Sequence, residues 1–378
     1  MTKPHGFGIY VHWPFCAAKC PYCDFNSHVS AAIDHDAWER AYIEEIDRLS
    51  AETPDRIVTS VFFGGGTPSL MEPRVTSRVL DQIARRWRTS NDIEVTLEAN
   101  PTSVEAARFK DFKTAGVNRV SMGIQALNNA DLQKLGRLHT ADEALAAFDI
   151  ARARFDRVSF DLIYARQDQT LSDWEKELQR ALSYAVDHLS LYQLTVEQGT
   201  AFGDRFNAGK LRGLPTDDTS ADMYELTQDI CAAHGMPSYE VSNHARDGAQ
   251  SRHNLIYWRM QDYVGIGPGA HGRLTLDGIR YATETPRAPA LWLGGHRELP
   301  RQVLRREEQA DEMLMMGLRL KEGVSHDRYA ELAGHRLQPE VLADLVNDGF
   351  LIQSEDRIIV TDQGFIVLNA ILERLLTS

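Results

Sequence analysis

The sequence predicts an α/β protein, an incomplete (β/α)6 barrel followed by a small winged-helix-like α+β unit. Three observations lead there. Short β-rich runs alternate with longer amphipathic runs from Gly8 to about Val241, the pattern of βα units around a parallel sheet. Several of the short runs are continuously apolar, as strands covered on both faces need to be. Six such repeats can be counted, two short of a closed eight-fold barrel, and after residue 305 the order of elements changes to helices followed by a hairpin.

The strand candidates are Gly8 to His12, Ile57 to Phe63, Ile93 to Leu97, Val117 to Ile124, Val158 to Ile163 and Leu189 to Leu194. Between them one helix is expected from Asp36 to Ser50. Another opens at Thr102, with Glu105 three residues on as a capping box, and stops at Gly116, a natural left-handed C-cap. After the sixth strand a helix runs from about Asp217 to His234, closed by Gly235 and Pro237. Ala282 to Pro300 is rich in Pro, Gly and Arg without clear periodicity, which reads as a linker. Beyond it come helices at Asp311 to Leu320, Ser325 to Ala333 and Pro339 to Asn347. A hairpin follows, turning at Ser354-Glu-Asp356, and a last helix starts from Thr361. The expected division is therefore 1–281 for the barrel with its binding segments, 282–304 for the linker and 305–378 for the winged-helix-like unit.

Composition narrows the function. At 378 residues, 43% hydrophobic and 25% charged, the chain is an ordinary globular protein and not a disordered or low-complexity one. Its net charge of -13 works against a broad phosphate-binding surface. Residues 305–378 carry 8 Lys plus Arg against 14 Asp plus Glu, the wrong sign for a DNA-binding winged helix, so a lid or partner-docking role is expected and no nucleic-acid partner. The start of the chain, Met1-Thr-Lys-Pro-His-Gly6, lacks an apolar leader, and no stretch approaches the roughly 18 apolar residues of a spanning helix. A cytoplasmic protein, at most peripheral to a membrane, is expected.

Three of the four cysteines form Cys16-Ala-Ala-Lys-Cys20-Pro-Tyr-Cys23 in the loop after the first strand. Soft thiolates at this spacing can hold three irons of a [4Fe-4S] cube and leave the fourth iron without a protein ligand. Two other readings stand beside it: a loop of reduced cysteines, or a zinc site completed by His12 or His28.

The array resembles that of the radical S-adenosylmethionine (SAM) superfamily. So does Phe63-Gly-Gly-Gly-Thr-Pro68, one βα unit later, which is similar to the superfamily's glycine-rich turn beside the methionyl group. Tyr10-Val-His-Trp-Pro-Phe-Cys16, Glu98-Ala-Asn-Pro101, Ser121-Met-Gly-Ile-Gln125, Leu135-Gly-Arg-Leu-His139 and Asp161-Leu-Ile-Tyr164 resemble, in order, segments of oxygen-independent coproporphyrinogen III oxidase and its relatives. The resemblance implies Cys16, Cys20 and Cys23 as cluster ligands and Tyr10 against the sulfonium. It implies Gly65, Gly66 and Thr67 at the methionyl part, Glu98 on SAM, and Tyr22, Gln125, Arg137 and Asp161 completing the pocket. Glu98 and Arg137 can also be read as a rim ion pair, and Gln125 as a capping side chain.

Two features separate the oxidase from the HemW-type heme-chaperone branch. Where the oxidase motif carries a further cysteine two positions after the third, this chain has Phe25. His253-Asn-Leu-Ile-Tyr-Trp258 resembles the chaperone branch's H-N-x-x-Y-W motif, which implies heme as a ligand and His253 as its axial ligand; should His253 not serve, His271 and His244 are the next candidates. Heme-acceptor proteins, respiratory ones among them, are the implied partners. Whether the protein is an enzyme stays open between this carrier and a radical-SAM decarboxylase. One departure is plain: relatives show Gly-Leu-Pro-Gly-Gln after Asp-Leu-Ile-Tyr, and this chain has Ala165-Arg-Gln-Asp-Gln169, which changes the backbone allowed beside Asp161. Gly265-Ile-Gly-Pro-Gly-Ala-His271 reads either as a glycine-rich pocket floor or as a bare turn.

Overall fold

The computed structural model describes residues 6–30 and 32–376; Met1–His5, read above for a leader, lie outside them. Six strands, β1 (Phe7–Trp13), β2 (Ile57–Gly65), β3 (Arg88–Ala99), β4 (Arg119–Gln125), β5 (Arg157–Tyr164) and β6 (His188–Gln193), lie side by side and parallel in chain order. Their inner positions are apolar and fully buried, for example Ile9, Val11, Val61, Phe63, Val120 and Phe160, as a two-sided sheet requires. Helices cover the outer face. The helix α1 (His35–Glu52) turns Trp38, Tyr42, Ile46 and Leu49 toward the sheet, a spacing of three and four residues that makes one apolar stripe.

The Thr102 start is a half-formed capping box. Thr102 accepts a hydrogen bond from Glu105 N–H at 3.3 Å, but the Glu105 carboxylate accepts from Asn100 N–H at 2.8 Å and from Ser69 instead. Gly116, just past that helix, has φ +109°.

The sheet does not stop at six strands. A short antiparallel strand, β7 (Asn243–Ala245), covers β6, and β8 (Asp262–Ile266) adds in parallel to the free edge of β1. Three more antiparallel strands, β9 (His271–Leu276), β10 (Ile279–Glu284) and β11 (Gln302–Val303), extend that edge, giving eleven strands in one open sheet among the described residues. Residues 282–304 are therefore not a linker. They complete β10, supply β11 and carry the short helix α2 (Pro289–Leu293), whose Trp292 is fully buried and stacked on Trp38 with ring centroids 5.6 Å apart. The Pro- and Gly-rich composition signalled the turns correctly, but a two-residue edge strand and a five-residue helix are too short to show periodicity.

Residues 306–376 build a second core. Helices α3 (Arg306–Gly317), α4 (His326–Ala333), α5 (Pro339–Asn347) and α6 (Leu368–Leu376) surround a small sheet of Val324–Ser325, Leu351–Gln353 and Arg357–Val360. The unit is tied to the segment before β7 by a backbone bridge between Glu240 and Leu320, and to β9 by Arg273–Glu312 at 2.8 Å. No helix among the described residues is long and apolar enough to cross a membrane.

Candidate functional site

The C-terminal ends of β2 to β5 and the loop after β1 converge on one cavity, where small-molecule sites of such sheets lie. After Trp13 the chain forms a two-stranded parallel patch, Phe15–Cys16 against His28–Val29; Cys16 ends the first of these strands and the loop between them carries Cys20 and Cys23. This loop is stitched to the end of β2: Gly66 N–H donates to Trp13 O at 2.7 Å and Thr67 N–H to Phe15 O at 2.8 Å. Glycine is needed there. Gly65 sits at φ +108°, and a β-carbon on Gly66 would lie 2.6 Å from Phe15 O, so a side chain at either position would push the loops apart.

Cys16, Cys20 and Cys23 all line this cavity. A chain of hydrogen bonds links two of the thiols around its wall. Thr67 Oγ1 donates to Cys16 Sγ at 3.4 Å, Asn100 Nδ2 to Thr67 Oγ1 at 3.1 Å, Arg137 to Asn100 Oδ1 at 2.7 Å, and Arg137 to Cys20 Sγ at 3.3 Å. Arg137 also donates to Gly123 O at 2.8 Å, while its buried Nε has no partner. Asn100 escaped the sequence reading of the site, although it lies in the Glu98–Pro101 segment quoted there; its signal was position after a strand end, shared with many loop residues.

Three sulfurs face one space, held by donors suited to anionic sulfur, with an unpaired guanidinium N–H beside them. Burial raises the Cys16 and Cys23 thiol pKa values, so thiolate there needs a bound cation. His12, one candidate to complete a zinc site, has both ring nitrogens engaged, with Tyr10 Oη at 3.1 Å and Asn26 O at 2.9 Å. Among the described residues no three His, Cys, Asp or Glu side chains gather as a single-ion site. The donor set fits a cube, in which each sulfur meets a different iron.

Two carboxylates face the same cavity. Glu98 accepts from Gly65 N–H at 3.2 Å; burial and the Asp161 charge raise its pKa to about 8. Asp161, raised by burial to about 6 despite its Ser190 and Ser121 hydrogen bonds, faces Ser121 Oγ at 3.3 Å. Both are poised for a cationic ligand. Gln125, at the end of β4, holds φ +75° while lining the cavity, a strained conformation of the sort found at ligand sites. Tyr22 lines it too and packs on Phe202.

Eleven of the thirteen residues expected from the sequence thus share one space; Tyr10 and His253 do not. Tyr10 faces an adjoining cavity, which shares Phe25, Gly65 and Glu98 with the first. His253 is a correction. It is 1% exposed, with Nδ1 bonded to Ser60 Oγ and Nε2 to Tyr257 Oη, each at 2.7 Å, and its ring stacks on Phe62. Burial lowers its pKa to about 3. A ring with both nitrogens taken and no cavity before it is a core histidine, so the heme-ligand expectation is withdrawn from it. The motif instead forms a short helix, Arg252–Trp258, capped by Ser251 and Glu94, which turns Tyr257 and Trp258 toward the second cavity.

The altered turn enters the left-handed region twice without glycine. Ala165 and Asp168 adopt φ +56° and +61°, and Asp168 N–H donates to Gly213 O at 2.6 Å. Asp161 keeps its place in the cavity. The Gly265–His271 stretch is a wall as well as a turn: Gly267, at φ +110°, leaves no room for a β-carbon against His12 O, and Gly269 and His271 line the second cavity.

Residues 10–181 match the family described as the Radical SAM superfamily, and residues 304–367 match the HemN C-terminal domain. The chain is 38% identical to the mitochondrial radical S-adenosyl methionine domain-containing protein 1 of Danio rerio, over 97% of this chain and 86% of that protein. It is 36% identical to the heme chaperone HemW of Escherichia coli K12, over all of both chains. The solved structure of coproporphyrinogen III oxidase (HemN) from Escherichia coli superposes with a TM-score of 0.81 at 21% identity, covering 99% of this chain and 90% of that one, a likeness of fold.

Proposed function

This chain belongs to the radical SAM superfamily, in the group that holds the heme chaperone HemW and radical S-adenosyl methionine domain-containing protein 1, and from that premise we propose that it is a heme chaperone. It binds a [4Fe-4S] cluster and SAM, and passes heme to acceptor proteins in an aqueous compartment such as the cytoplasm, respiratory proteins among the acceptors. The observation that carries this reading is identity to a named heme chaperone along the whole of both chains. Two features support it: Phe25, 57% exposed, stands where the oxidase motif has its extra cysteine, and a second, aromatic-lined cavity opens beside the first.

In this reading Cys16, Cys20 and Cys23 hold the cluster. When bound, it supplies an iron free of protein ligands and one-electron chemistry toward SAM. Gly65 and Gly66 let the backbone approach the methionyl group. Glu98 and Asp161 accept from its amino group, and Arg137 and Gln125 close the wall beside the thiols.

The test is anaerobic reconstitution, followed by optical titration with heme and transfer to a heme-free acceptor, with coproporphyrinogen III, SAM and reductant supplied to a parallel sample. Heme retained and then delivered, with no protoporphyrinogen IX formed, is the expected result. Sustained decarboxylation without retained heme makes the protein an oxidase.

A further inference from the structure

Resting on the heme-carrier reading, we infer that His271 is the axial ligand of the heme iron, within the aromatic cavity between the extended sheet edge and the C-terminal unit. Imidazole needs a free ring nitrogen to bind iron. Two histidines line this cavity. His12 is bonded at both ring nitrogens, whereas the exposed His271 ring makes no hydrogen bond among the described residues. Its backbone is fixed as the first residue of β9, paired with Glu284, so the ring is presented from a rigid element.

The far side of the cavity, away from the Asp24 and Glu98 carboxylates that also line it, suits a flat, largely apolar ring system. Tyr257 and Trp258 offer aromatic faces, and Met316 brings an apolar side chain from α3 of the C-terminal unit. The buried Trp258 Nε1 has no hydrogen-bond partner. Arg287 lies exposed on the lining and forms no ion pair among the described residues, which leaves its guanidinium free for a propionate carboxylate.

Heme is titrated into the cluster-loaded wild type and into His271→Ala, His271→Met, Arg287→Ala and His253→Gln, reading affinity and the Soret and EPR spectra. His271→Ala should bind at least tenfold more weakly with an altered spectrum, and added imidazole should restore the wild-type spectrum. His271→Met should keep binding with a shifted spectrum, because sulfur replaces nitrogen at iron. Arg287→Ala should weaken binding several-fold with the spectrum unchanged, and His253→Gln should leave the spectrum unchanged. Wild-type affinity and spectra in both His271 variants, with the wild type still binding heme, overturn the ligand assignment and leave the carrier reading standing. A wild type that binds no heme overturns both.

Discussion

Replacing Glu98 by Gln keeps the shape of the side chain and an acceptor for Gly65 N–H, and removes only the ability to ionise. The folded carboxyl has its pKa raised to about 8, through burial first and Asp161 second, against an ordinary 4.5. Between those values the native state holds a proton that the unfolded chain has released, so the slope of stability with pH is negative: the wild type loses stability as pH rises from 4.5 to 8. At pH 7 this amounts to roughly 3 kcal/mol at 1.36 kcal/mol per pH unit. Without SAM, therefore, Glu98→Gln should match the wild type near pH 4.5 and exceed it in urea denaturation by about 3 kcal/mol at pH 7. SAM affinity should move the other way. The cationic ligand needs the carboxylate, so wild-type affinity should rise about tenfold per pH unit up to pH 8 and level off above it. The variant should lose that slope above pH 6, where Asp161 has already ionised. At pH 8 it should bind about ten- to a hundred-fold more weakly, the worth of a charge-assisted hydrogen bond. Anaerobic calorimetry at pH 6.5, 7 and 8 gives the affinities. A stability difference that does not change with pH, or a Glu98→Gln affinity equal to the wild type's, would refute the placement of an ionisable Glu98 on the ligand.

Changing Cys16, Cys20 and Cys23 together to Ser should abolish iron and sulfide uptake, whereas Cys231→Ser, at a thiol buried in the helix-covered core, should reconstitute fully; iron and sulfide analysis decides. Trp292→Ala removes a fully buried indole stacked on Trp38 and should cost about 3–5 kcal/mol in chemical denaturation. A loss below about 1 kcal/mol, the range of surface changes, would return residues 282–304 to linker status. Asp168 holds φ +61°, so Asp168→Val should cost about 1–2 kcal/mol while Asp168→Gly stays within about 0.5 kcal/mol of the wild type. Equal stabilities of the two would mean that the turn does not use the left-handed conformation.

The alternation of apolar runs and amphipathic helices, the three-cysteine spacing and the glycine-rich turn one unit later are local patterns. They determined the six parallel strands and the helix ends at Thr102 and Gly116, because residue spacing sets which side of a helix or strand a side chain occupies; Gly65, Glu98, Gln125 and Asp161 came from the resemblance of their segments to a known family. Tertiary structure decided the rest. That Asn100 bridges Thr67 to Arg137 depends on three strand ends meeting, and that Trp292 is core depends on a helix 250 residues earlier in the chain bringing Trp38 to it. His253 shows the difference most plainly. Its motif promised an imidazole for iron, but a histidine's chemistry is set by what reaches its two nitrogens, and Ser60 and Tyr257 reach both. His271, read from sequence as part of a turn and a reserve candidate, is left with a free ring on a cavity wall, because accessibility belongs to the packed surface and no run of residues encodes it by itself.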